Sequence, residues 1–143
     1  MTSINSTFCI FYQKDHEDRE RNLNILLNYL LENYTDLEII ILQQYIDKEQ
    51  RDNLKPLSIF SNTKIFHHRL PNDTEYWNKM TAYNFGLKYS SYDVIFYNDV
   101  DTIFNPKDIE EAYSLIKEEN KILIPSGTHF IDVKEPLINK FKE

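Results

Sequence analysis

Three runs in this chain carry no polar side: Phe8-Cys9-Ile10-Phe11-Tyr12, Ile39-Ile40-Ile41-Leu42 and Val94-Ile95-Phe96-Tyr97. A strand with one wet face alternates apolar and polar side chains, so an unbroken apolar run has to be covered on both faces. Segments of helical period lie between these runs. From Asp18 onward Leu23, Leu26, Leu27, Leu30, Leu31 and Tyr34 repeat at i, i+3, i+4, i+7. Trp77, Met80, Tyr83, Phe85 and Leu87 form a second such face, and Ile109, Ala112 (or Tyr113) and Ile116 a third. The third helix has a start signal in Asn105-Pro106 followed by Asp108. Lys64–His68, Lys121–Ile124 and Phe130–Val133 read as further strands, and Asp47–Leu57, polar and closed by Pro56, as mixed helix and loop. Strands alternating with helices predict a three-layer α/β/α, Rossmann-like fold with a mainly parallel sheet. In such folds ligands collect at the carboxyl ends of the strands.

Length and charge narrow the possible functions. The 143 residues, with no repeat or Pro/Gly/Ser linker, suit a single domain over residues 1–143. Hydrophobic residues at 41% supply a core, which sets the chain apart from disordered sequences. Sixteen basic against 23 acidic side chains leave a net charge of −7 with no basic cluster, a poor match to nucleic acid. The single cysteine, Cys9, makes no internal disulfide and reads as a small core residue. No apolar run approaches the roughly 20 residues that cross a bilayer. The start Met1-Thr2-Ser3-Ile4-Asn5 lacks the pattern of a secretion signal, and a cytoplasmic location is expected. Neither a Gly-x-Gly-x-x-Gly nor a Walker phosphate loop is present.

The chemistry concentrates in Asn98-Asp99-Val100-Asp101, where an apolar strand runs into two carboxylates one residue apart. In an extended backbone Asp99 and Asp101 share a side while Val100 faces the core. Two carboxylates so placed suit a hard divalent cation with positions left for phosphate oxygens. The same residues also describe a solvated Asp-rich turn closed by Asn105-Pro106. Other candidates are weaker. His67 and His68 are strand neighbours on opposite faces, and His129 and Asp132 lie three apart on an expected strand.

Asn98-Asp99-Val100-Asp101 resembles the Asp-x-Asp motif of glycosyltransferases of the GT-A fold. The likeness is strongest to the β-1,4-galactosyltransferases and the bacterial chondroitin-polymerase-type transferases. Three further segments carry it in order: Asp18-Arg19-Glu20-Arg21-Asn22-Leu23, Ile39-Ile40-Ile41-Leu42-Gln43-Gln44, and Trp77-Asn78-Lys79-Met80-Thr81-Ala82-Tyr83-Asn84-Phe85-Gly86. Together they span about residues 8 to 104. The resemblance implies a nucleotide-sugar donor, usually a uridine diphosphate (UDP) sugar, and a glycan or other hydroxyl acceptor. It implies Mn²⁺ or Mg²⁺ on Asp99 and Asp101, and donor binding by Arg19, Lys79, Asn84 and Asp99, with Asn98 fixing the motif loop.

The chain also departs from that family's pattern. Tyr12-Gln13-Lys14 stands where the family has Pro-aromatic-Arg. The Gly-Trp-Gly…Glu-Asp segment that carries the family's acceptor side and catalytic base has no counterpart after Gly127, Thr128, Phe130, Asp132 and Val133. The expected fold is therefore GT-A-like but short at its C-terminal end, with no base named. Two rival readings follow. One is a non-catalytic sugar-nucleotide-binding module whose acceptor side comes from a partner chain. The other is a haloacid-dehalogenase-like phosphatase with Asp99 as nucleophile, although Thr102 falls one place early for that motif.

Overall fold

Two of the three apolar runs become the centre of a sheet, and the third becomes its outer strand among the described residues. The computed structural model describes residues 1–13, 17–45, 55–60, 63–71 and 78–119. Its elements are β1 (Thr2–Tyr12), α1 (Glu17–Asn33), β2 (Tyr34–Tyr45), β3 (Lys55–Phe60), β4 (Thr63–Pro71), α2 (Lys79–Tyr89), β5 (Val94–Asp99) and α3 (Pro106–Glu119). The sheet order is β3-β4-β2-β1-β5, with β4, β2, β1 and β5 parallel and β3 antiparallel to β4. The chain divides into two compact units, Met1–Ile103 and Phe104–Glu143. The first contains the sheet, α1 and α2; the second contains α3. The expected strands Lys121–Ile124 and Phe130–Val133, together with Trp77, Lys14, His16 and His129, lie outside the described residues.

From β1 the chain steps to β2 and then β4 on one side, and returns to place β5 on the other side of β1. Right-handed crossovers therefore send α1 and α2 to opposite faces of the sheet. The order reverses between β1 and β5, the topological switch point at which open α/β sheets bind ligands. Phe11 pairs with Asp99 in this ladder, which brings the acidic motif to the carboxyl end of β1.

Strand alternation sorts the core into two layers. Cys9, Phe11, Ile40, Leu42 and Leu70 form one face and pack with Ala82 of α2, flanked by Tyr83, Phe85 and Ile95. Phe8, Ile10, Ile39 and Ile41 occupy the alternate positions and are fully buried, as are Leu26 and Leu30 of α1. Phe8 also stacks on Phe96, its partner across the β1–β5 ladder, with ring centroids 4.8 Å apart. A buried carboxylate, Glu38, ties the opposite end of the sheet. It accepts from Thr7 Oγ1 at 2.9 Å, Ser91 N at 2.8 Å and Ser91 Oγ at 2.6 Å, which anchors the bend between α2 and β5.

Two local expectations are corrected. The helical period extends to Tyr34, but α1 ends at Asn33, whose Nδ2 donates to the Tyr29 carbonyl at 2.8 Å and satisfies a last-turn acceptor. Tyr34 instead opens β2, buried and stacked near Phe8 at 6.4 Å. The end of the Asp47–Leu57 segment, expected as helix and loop, enters β3. Pro56 is tolerated there because β3 pairs only on one side among the described residues, and its register shifts between Pro56 and Ser58. The N-terminus of α3 is as expected: Asn105 Oδ1 accepts from Lys107 N at 3.0 Å and Pro106 takes the first helical position.

Gly86 sets how closely α2 approaches the sheet. A Cβ at this position would lie 2.6 Å from Cys9 Sγ and 3.3 Å from Cys9 Cβ. The thiol is enclosed, and burial, with a smaller contribution from the Glu38 charge, pushes its pKa up to about 12. It acts here as a packing group. Gly86→Ala is expected to lower stability by about 1–3 kcal/mol through overpacking. Combining it with Cys9→Ala, which removes the obstructing sulfur, is expected to cost less than the sum of the two single changes. Urea denaturation of the four proteins in this cycle measures the coupling; strict additivity would refute the contact.

Candidate active site

The carboxyl end of β5 is shaped by a buried amide. Asn98, 3% exposed, donates through Nδ2 to the Asp99 carbonyl at 2.7 Å and the Thr102 carbonyl at 2.9 Å. Thr102 N closes the turn onto the Asp99 carbonyl at 3.1 Å, and Val100 is buried. Asn98 thus fixes the motif loop, as the resemblance implied. The route by which the two aspartates meet differs from the sequence expectation. The strand ends at Asp99 and a turn follows, so the turn, not strand alternation, brings Asp101 to the same pocket.

Helix α2 enters the site through a second amide. Gln44, buried at the end of β2, donates Nε2 to the Asn78 carbonyl and accepts from the Asn78 N–H, both at 2.8 Å. Asn78 is the N-cap, its side chain accepting from Thr81 N at 3.1 Å. The first helical residue is therefore placed by the sheet, and that residue is Lys79. Its ammonium donates to both oxygens of Asp99, at 2.8 and 2.9 Å. A cation here opposes the helix dipole, and the first turn holds no acidic residue to offset it. Asp99 answers the charge from across the sheet. The hydrogen bond to Asp99 is the main cause holding the Lys79 pKa above its usual value, against the effect of burial.

The pocket at this point is lined by Phe11, Gln13, Arg19, Lys79, Asp99 and Asp101. It therefore contains four of the five residues picked out from the sequence. Asn84 is the exception: it is exposed on α2 and does not line the pocket. Phe11 and Gln13 were not among the candidates. Their signal was position alone, at and just past the end of the first apolar run. Gln44 entered only as the last residue of the second matched segment, although a pair of amides after four apolar residues marks a strand end that meets another element. Phe11 packs edge-on against Tyr83 at 4.5 Å, and Tyr83 against Tyr97 at 4.6 Å, giving the pocket an aromatic base.

His67 and His68 take separate environments, as neighbours on a strand must. His67 Nε2 meets Gln43 Oε1 at 2.8 Å. His68 stacks on Phe85 at 3.9 Å, and burial, with the neighbouring His67, lowers its pKa.

No group of three or more His, Cys, Asp or Glu side chains capable of holding a metal occurs among the described residues. The two aspartates alone form a hard oxygen donor set. That set fits a divalent cation which completes its shell with oxygens from a ligand. No described helix is long and apolar enough to cross a membrane.

A parallel sheet that reverses beside β1, with an acidic turn at the reversal, defines an open α/β domain with a ligand crevice at its switch point, an architecture that includes the GT-A type. The sequence model of Glycosyl transferase family 2 matches residues 6–140, and the chain belongs to that family. No curated protein matches it. Its activity is accordingly that of a glycosyltransferase, acting between a nucleotide-sugar donor and an acceptor.

The Gln44 clamp gives a direct test of how the site is built. Gln44→Met keeps the side-chain length but leaves the Asn78 N–H and C=O without these partners. A loss of about 1–3 kcal/mol is expected, with faster hydrogen exchange confined to the first turn of α2. Unchanged exchange at residues 79–82 would show that α2 starts where it does for another reason.

Proposed function

We propose that this chain transfers a hexosyl or N-acetylhexosaminyl group from a UDP-sugar to a hydroxyl acceptor, with a divalent cation on Asp99 and Asp101. The narrower likeness to β-1,4-galactosyltransferases and chondroitin-polymerase-type enzymes supports the UDP donor. Family membership supports the transferase over a dehalogenase-like phosphatase.

The observation that carries the proposal is the charge pattern of the pocket. Arg19 and Lys79 face the same space as Asp99 and Asp101, so the four side chains balance. A diphosphate placed there meets two carboxylates that repel it. Those carboxylates are compatible with an anionic ligand only with positive charge placed between them and it. Mn²⁺ or Mg²⁺ held by Asp99 and Asp101 would supply that charge and stabilise the departing diphosphate as a Lewis acid. Lys79, anchored at the start of α2, offers a point charge to a phosphate oxygen, and Arg19 a planar fork of donors. Asn98 keeps the Asp99 and Thr102 carbonyls turned inward, so the Asp99 carboxylate stays on the pocket side.

In the reaction the bond between the anomeric carbon and the diphosphate oxygen breaks as the acceptor oxygen bonds to that carbon. The electron pair leaves on the diphosphate, and the acceptor's proton passes to a base. Asp99 and Asp101 are committed to the cation in this scheme and are not that base. Asn84, outside the pocket, has no part in donor binding here.

Calorimetry with UDP tests the reading. Binding is expected with Mn²⁺ and lost in EDTA. Asp101→Asn is expected to weaken it by at least about tenfold, the effect of losing one interaction with a charged group. Equal affinity in EDTA would contradict the metal role.

A further inference from the structure

Lys79 occupies both oxygens of a carboxylate that the proposed function assigns to a metal ion. Its ammonium sits 2.8 Å from Asp99 Oδ1 and 2.9 Å from Oδ2, placed squarely across the fork. We propose, resting on that reading of the site, that Lys79 is a resident counter-cation. It keeps Asp99 from a free divalent ion until a nucleoside diphosphate arrives to take the ammonium.

Three features of the chain support this exchange. The first is anchoring: the Lys79 backbone follows the Asn78 cap, which Gln44 grips on both sides at 2.8 Å. The ammonium can therefore move on its flexible four-carbon stem while its root stays fixed. The second is the modest strength of the pair. The two side chains are 44% and 45% exposed, and ion pairs so open to solvent are worth only about 0.2–1 kcal/mol. Such a pair is displaceable, and it is a weak device for holding α2 to β5. Cys9 against Gly86 and the Gln44 clamp already seat α2 on β1 and β2.

The third feature is charge balance. Arg19 and Lys79 against Asp99 and Asp101 sum to zero in the pocket. A divalent ion entering alone displaces Lys79 and leaves two surplus positive charges within a few ångströms of each other. When the ion enters with a diphosphate, the anion absorbs that excess and gives the freed ammonium a phosphate oxygen to bind. Cation and nucleotide therefore bind together, each weakly without the other.

The test measures Mn²⁺ binding to the full chain without nucleotide, by the electron paramagnetic resonance signal of free Mn²⁺. The proteins are the unaltered chain, Lys79→Met and Asp99→Asn, and thermal melting confirms that each is folded. Lys79→Met is expected to bind Mn²⁺ alone about two- to fivefold more tightly. Its affinity for UDP in saturating Mn²⁺ is expected to fall below that of the unaltered chain. Equal or weaker Mn²⁺ binding by Lys79→Met overturns the counter-cation proposal. Asp99→Asn tells the two failures apart. If it abolishes Mn²⁺ binding while Lys79→Met changes nothing, the metal site stands and only the role of Lys79 falls. If it binds Mn²⁺ as the unaltered chain does, with and without UDP, the metal site itself is refuted and the counter-cation with it.

Discussion

The paired hydrogen bonds between the Gln44 carboxamide and the Asn78 backbone join the sheet to the chemistry. Gln44 is buried at the end of β2, paired with Leu70 in the β2–β4 ladder, so its position is set by the sheet and not by solvent. Asn78 in turn caps α2, and the cap determines which residue is first in the helix. Were α2 to start one residue later, Lys79 would leave the helix and lose its fixed direction toward Asp99. Gly86 completes the placement at the next turns by allowing the helix to settle on Cys9. A short amide, a cap and a missing side chain thus locate one ammonium group relative to one carboxylate.

The topology explains why those groups meet at all. Residues 19, 79 and 99 are far apart in sequence, but the reversal of strand order between β1 and β5 opens a crevice where their elements converge. The carboxyl ends of β1 and β5 supply its base in Phe11 and Asp99. The start of α2 supplies a cation, and the first turn of α1 a second. Half-exposed charges at such a point contribute little to folding, which comes from the two buried apolar layers. The pocket is therefore free to hold a charge arrangement that contributes little to stability, and the proposed function gives that arrangement a use.

Much of this was legible in the sequence, for identifiable reasons. Unbroken apolar runs read as strands of a parallel sheet, so β1, β2 and β5 and the parallel arrangement followed from Phe8–Tyr12, Ile39–Leu42 and Val94–Tyr97 alone; the full covering expected of all three holds for β1 and β2, while Tyr97 of the outer strand β5 is 40% exposed. The cap and proline at Asn105-Pro106 announced α3 equally plainly. What escaped depends on tertiary context. Tyr34 satisfies a helical period and a strand start equally well, and only its burial beside Phe8 decides between them. β3 contains Pro56 and lies at the end of a segment read as helix and loop, and it exists as a strand through its pairing with β4. In the site, Asp99 and Asp101 stood out as two carboxylates at the end of an apolar strand, Lys79 and Arg19 through a family pattern, and the pocket contains all four. That pattern also proposed Asn84, whose helical phase carries it away from the pocket. Phe11, Gln13 and Gln44 carry no charge, and a place in an apolar run or a matched segment does not tell what each one touches, so only three-dimensional placement reveals their roles.

The central claim is that Asp99 and Asp101 grip a cation which in turn grips a diphosphate. Anomalous diffraction at the manganese edge, from crystals grown with MnCl₂ and UDP, tests it most directly. The account predicts one strong anomalous peak between the two carboxylates, with the diphosphate against it and the Lys79 ammonium moved from Asp99 to a phosphate oxygen. Nucleotide bound at the pocket with no anomalous peak there, and Lys79 still on Asp99, would contradict it.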